Sequence, residues 1–207
     1  MTTYPIPTQH ERLRLEAELR VAQKGQHVLE LKRDALIFDL LDLLSRYETQ
    51  YADVSESFAN AVATRTRALE REGGIALRTA AWTRTTTPEV CFAELRIHGV
   101  EVPMILSRAI ETPLDYRGYG VLGTSAAIDE VAETHERLLE RVVPLAEMEG
   151  ALKQLVDEIW LTNLRVNTIR HRLVPELDAQ IRYVEAHLAE RDHEERLRQF
   201  FFKRHAE

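Results

Sequence analysis

VAETHERLLERVVPLAEMEGALKQLVDEIWLTNLRVNTIRHRL, residues 131–173, places Val131, Leu138, Leu145, Leu152, Ile159, Val166 and Leu173 seven apart without a break. Seven residues make nearly two α-helical turns, so this row is one apolar stripe, and a stripe sustained this long reads as a coiled-coil seam. Leu177, Ile181, Val184 and Leu188 carry the stripe past Pro175, whose missing N–H is expected to kink the helix. Pro144 raises the same question earlier: the helix either bends there or starts only after it, and a bend is the expectation.

The amino-terminal half repeats the signal. Thr8 and Glu11 have the spacing of a capping box, which places the start of a first long helix there. Leu15, Ala22, Leu29, Leu36 and Leu43 follow at steps of seven, with Leu19, Leu40, Tyr47 and Val54 in the alternate row. Gln26 and Arg33 interrupt that row, as polar residues do where register is specified at some cost in stability. No strong breaker precedes Gly73-Gly74, read as a helix stop, so the helix is expected to run about 60 residues, or about 90 Å. Two such stripes bury each other most simply as an antiparallel pair, giving a rod. From the loop length, facing residues are expected to have numbers summing to about 205, which puts Leu29 near Leu177 and Leu36 near Ile169.

Between the helices, Val90 to Ile97 and Val100 to Leu106 are rich in β-branched residues and flank His98-Gly99, a two-residue turn signal. Pro103 is compatible with a ribbon made only of edge strands. Cys91 is expected to be a small packed side chain, and Gly118, Gly120 and Gly123 to loosen the return to the second helix. The fold class is therefore mainly α: a long antiparallel two-helix coiled coil with a short central β-hairpin at about 90–106. Its parts are expected at residues 8–72, 73–124 and 125–200.

A net charge of −7 argues against a chain held to nucleic acid by a basic field. One cysteine excludes an internal disulfide and makes a cytoplasmic site the default. The most apolar run, Leu36 to Leu44, contains Asp39 and Asp42 and is far short of the ~20 residues of a membrane span. The first seven residues lack the features of a secretory signal. There is no GxxxxGK loop and no GxGxxG after a strand, so no cofactor is expected. Glu190 and His193 form a single Glu-x-x-His step without the second that a carboxylate-bridged metal site needs, which leaves ordinary solvated side chains. Asp129, Glu130, Glu133, Glu136, Glu140, Glu147, Glu149, Asp157 and Glu158 make one segment strongly acidic. That segment fits either a basic partner or plain solubility.

Three separated groups of residues resemble one family. Pro7-Thr8, Ala22-Gln23-Lys24-Gly25 and Leu31 to Leu36 are similar to the amino-terminal signature of the D subunit of archaeal/vacuolar-type (V/A-type) rotary ATPases and ATP synthases. Leu155 to Ile159, Arg165-Val166-Asn167, Leu173-Val174-Pro175 and Gln180 to Val184 resemble its second signature, and Gly99 to Pro103 its hairpin turn. Trp160 to Leu164 and Phe200 to Phe202 depart from the more basic family pattern, as does Pro144. The resemblance implies a non-catalytic central-stalk shaft that transmits torque between the A/B catalytic hexamer and the membrane rotor ring. In that arrangement the F subunit lies alongside, a further stalk subunit joins the ring, and ATP synthesis or hydrolysis is coupled to proton or sodium transport. The chain would be peripheral to the membrane through the complex. Lys24, Lys32, Arg33, Arg165 and Asn167 are the implied head contacts, with Gly25 permitting close helix approach. A non-rotary coiled-coil scaffold is the alternative that the heptads alone allow, and a helical-bundle metalloenzyme a third reading.

Overall fold

The computed structural model describes residues 5–83, 89–97, 99–107, 110, 117–119 and 125–204. Its elements run α1 (Gln9–Thr83), β1 (Val90–Ile97), β2 (Val100–Ser107), α2 (Ala126–Thr168), a π-helical turn (Ile169–Leu173) and α3 (Val174–Arg204). The fold is mainly helical with one two-stranded antiparallel hairpin between the long helices. Two compact units are formed, one from residues 1–35 with 159–207 and the other from 36–158.

Helix α1 starts where the capping signal placed it. The Thr8 hydroxyl accepts from the Glu11 N–H at 3.1 Å, and the Thr8 carbonyl takes the first helical bond from Arg12. Both satisfy groups that a helix start otherwise leaves open. Gly73 adopts φ 77°, ψ 161°, a conformation that an L side chain rarely tolerates. The expected stop at Gly73-Gly74 is thus a kink instead, because helical structure resumes and continues to Thr83.

In the first unit, Leu15, Leu177, Ile181, Val184 and Leu188 form a buried cluster with Leu19, Ala22 and Tyr183 against it. Fully burying a side chain of this kind contributes about 1.5–3 kcal/mol, so the seam is the main source of cohesion here. The pair is antiparallel, since Leu15 clusters with Leu177 to Leu188 of α3 while Glu30, further along α1, meets the earlier Arg170. The register differs from the loop-length expectation. Leu177 packs with Leu15 and Ala22, not beside Leu29, and the partners of Glu30 and Arg33 lie about two turns nearer the start of the second helix than expected. Leu173, expected in the seam, is exposed.

In the second unit, Ala61, Thr64 and Ala68 of α1 are buried, as are Ile128, Glu136, Ala151 and Leu155 of α2. The side chains of Arg67 and Arg141 donate to Glu130 and Ser57 and tie the two helices together. Helix α2 is continuous through Pro144, which rules out a start beyond it. The hairpin pairs Val90↔Ser107 through Ile97↔Val100 with a two-residue connection, and Gly99 has φ 80° as such a turn requires. His98, Gly120 and Gly123 lie outside the described residues; Gly118 has φ 81°. Cys91 lies in β1 as expected but is exposed rather than packed, because β1 buries almost none of its side chains.

Among the described residues no helix is long and apolar enough to cross a membrane.

Candidate functional site

The candidate residues Lys24, Gly25, Lys32, Arg33, Arg165 and Asn167 all lie on the helices of the first unit. Arg33 is half-buried and donates to Asp34 of its own helix at 2.8 Å and to Asn163 of α2 at 3.4 Å. Lys32 is half-buried and engaged, whereas Lys24, Arg165 and Asn167 are exposed. A Cβ added at Gly25 meets nothing within 4 Å, so no described part of the chain approaches it closely. The structure thus brings Arg33 together with Asn163 and leaves Lys24, Arg165 and Asn167 facing outward.

Around Arg33 a polar layer crosses the seam. Gln26 donates to Glu30 at 3.0 Å one helical turn on, and Glu30 also accepts from Arg170 of the π-helical turn. The Gln26 amide, with the charges of Arg170 and Arg33, holds the Glu30 carboxyl below its ordinary range, against the opposing effect of burial. The layer explains the polar interruptions at Gln26 and Arg33, since both have specific partners. Thr162 is fully buried beside this layer, and its hydroxyl has no hydrogen-bond partner among the described residues. Sequence reasoning singled out Gln26 and Arg33 but not Glu30, Asn163 or Arg170, because nothing local says which residue of a distant helix stands opposite.

A second polar assembly lies in the other unit. Arg117 is buried and donates to Glu136 at 3.2 Å and to Asp129 at 3.4 Å, while Tyr119 donates to Asp129 at 2.8 Å. Glu140 accepts from the Ile110 N–H at 3.3 Å, and Glu147 from the Ile105 N–H of β2 at 2.9 Å. Asp129, Glu136, Glu140 and Glu147 step by seven, four and seven residues, hence along one face of α2. Burial lowers the Arg117 pKa, but Tyr119 and the two carboxylates outweigh it and raise the value overall. Burial raises the Tyr119 pKa, as does its bond to Asp129. The acidic segment is therefore largely occupied within the chain: it anchors the central insert and covers part of a strand edge. Glu130 and Glu133 pair with Arg67 and Arg137. A cavity of about 240 Å³ adjoins the Arg117–Glu136 pair, lined by Leu77, Ala80, Ile128 and Val131 among others.

Outward from its seam, α1 carries short exposed apolar rows that the sequence reading missed. Val21 and Val28 step by seven, as do Leu31 and Phe38, and these four are 57–75% exposed; Leu44, Tyr51 and Phe58 also step by seven but in another phase, since Leu44 falls six residues after Phe38. These short rows are apolar surface that no described residue covers.

Among the described residues no three His, Cys, Asp or Glu side chains gather as a metal ion would require.

A family model for the D subunit of ATP synthase matches residues 11–204. The D subunit of the A-type ATP synthase of Haloarcula marismortui is 38% identical over 91% of this chain and 82% of its own. That of Halorubrum lacusprofundi is 39% identical over 91% and 83%. That of Methanoregula boonei is 35% identical over 93% and 92%.

Proposed function

The chain belongs to the D-subunit family of ATP synthases, and from that premise we propose that it is the central-stalk shaft of an archaeal/vacuolar-type rotary ATPase or ATP synthase. The family match spans both long helices and the hairpin, so the relationship extends to the whole architecture. The observation that carries the reading further is the set of exposed apolar rows of α1, Val21 with Val28, Leu31 with Phe38, and Leu44 with Tyr51 and Phe58, which the described chain does not cover itself. Burying such rows in water-excluding contact with other subunits is the physical reason for a helix to keep them.

In this reading the chain is non-catalytic and holds no cofactor. It transmits torque between the A/B hexamer, where ATP is made or hydrolysed, and the membrane rotor that carries protons or sodium ions. An F subunit and a further stalk subunit complete the rotor. The chain is cytoplasmic and reaches the membrane only through the complex. A helix pair resists bending and twisting better than one helix, and an off-axis shaft presents a different face to each surrounding site, so rotation becomes sequential conformational bias. Lys24, Lys32, Arg33, Arg165 and Asn167 are the proposed polar contacts with the head, and the open space around Gly25 is available to a neighbouring subunit. A non-rotary scaffold accounts for the heptads alone, without the hairpin or the family match.

The test is a tagged pull-down from native cells with partners identified by mass spectrometry. Recovery of the A, B and F subunits supports the shaft; self-association without them supports the scaffold. In a reconstituted complex, Arg33→Ala or Arg165→Ala that leaves coupled ATPase activity unchanged removes that residue from the contact set.

A further inference from the structure

From Leu155 to Val166 the buried positions keep a seven-residue step, which beyond the turn at 169–173 resumes one residue late. Thr162 and Val166 are buried, and Ile159 is half-buried; counting on by sevens leads to Tyr183 from Thr162, and to Leu173, Gln180 and His187 from Val166. The residues buried instead are Val184, Ile181 and Leu188, each displaced by one, and Leu177 is in phase with Val184. Between the two phases lies the Ile169–Leu173 turn, where the Val174 N–H bonds the Ile169 carbonyl five residues back. A five-residue-back turn holds one more residue than an α-helical turn, so it absorbs the displacement in place. No residue of this turn is buried. Pro175 follows at once, with no N–H to give and a ring that would press on the carbonyl four residues back in a regular helix.

We infer that Ile169–Leu173 is a torsional joint: the extra residue can pass along the helix or be taken up, turning α3 about its axis, and the ion pair of Arg170 with Glu30 on α1 latches it. Without the latch the turn is held by its backbone bonds and the half-buried Ile169 alone, because none of its side chains is buried. The phase slip, not Pro175, is the cause. Against a seven-residue seam the step from Val166 to Ile181 leaves one residue over, which this turn takes up, and Pro175 only favours this location. The joint is a property of the helix pair and stands whether or not the chain turns inside a larger assembly.

Hydrogen exchange on the full-length protein, resolved to peptides across 155–188, tests this. Amides at 172–174 and 176 are expected to exchange about tenfold faster than those at 160–166, and Glu30→Gln or Arg170→Gln to accelerate them several-fold further without changing the flanks. Deleting His171 restores the seven-residue step and is expected to abolish the fast exchange while melting temperature holds or rises. Pro175→Ala, which keeps the length, is expected to retain it. Uniformly slow exchange, latch variants that change nothing at 172–174 and 176, or fast exchange that survives the deletion would each overturn the joint. Loss of fast exchange in Pro175→Ala would overturn its origin in the phase slip.

Discussion

A Cβ added to Gly150 would lie 2.8 Å from Cγ of Pro103, closer than real side chains come. The hairpin therefore sits on α2 at a point where only hydrogen fits between them. Glu147, one turn earlier on α2, accepts from the Ile105 N–H, so contact and hydrogen bond fix the same strand. Gly150→Leu should force β2 off the helix and expose Ile105. The expected cost is about 1–3 kcal/mol in urea unfolding, with faster exchange of the Ile105 amide. Unchanged exchange there would show that the hairpin tolerates the intrusion.

The buried Arg117–Glu136 pair should respond asymmetrically. Arg117→Met alone leaves the carboxylate of Glu136, which is 1% exposed, without its guanidinium. Breaking one side of such a pair costs about 3–5 kcal/mol, whereas replacing both with apolar residues is often close to neutral. Arg117→Met with Glu136→Leu is thus expected to recover most of the stability lost by the single change, as read by chemical denaturation. A double variant as unstable as the single one would mean that the pair is not the main support of the insert.

Glu30 gives a pH signature. Its carboxyl titrates lower in the folded chain than in the unfolded one, through the Gln26 bond first and the charges of Arg170 and Arg33 next. A lowered folded value means stability that is present above the unfolded pKa of about 4.3 and is lost as pH falls through the folded one. Glu30→Gln should lower the melting temperature at pH 7, and the gap from the parent should narrow as pH drops below about 4. A gap independent of pH would trace the effect to shape alone.

Thr162→Val removes a buried hydroxyl that has no partner among the described residues and keeps the side-chain shape. A gain of about 1 kcal/mol is expected in thermal unfolding. Loss of stability would reveal a hydrogen bond formed in solution.

What could be read in the sequence was local. The start at Thr8, the hairpin between Val90 and Ser107 and the turn at Gly99 each depend on residues a few positions apart, and each is where the pattern placed it. The first seam was legible too, with Leu15 and Leu36 buried as their spacing requires. Register was not, because it depends on how much chain the central insert takes up, and the helical turns after Gly73 change that length. The acidic face of α2 looked equally suited to a partner or to solvent, since Arg117 and the β2 edge that occupy it are identified only by folding. Leu173 was misplaced for a related reason: a row of sevens carries no mark at the residue where its phase slips. Of the candidate site, Arg33 was found from its intrusion into the apolar row, while its partner Asn163 carries no such mark.

The exposure of Cys91 has a practical consequence. It is the chain's single thiol and sits on the outer strand of the hairpin. One maleimide dye or bead will therefore attach at one known point without any substitution, since accessible thiols are the ones that such reagents reach. The wild-type molecule thus comes with a built-in handle, from which the orientation of the hairpin can be followed optically, one molecule at a time.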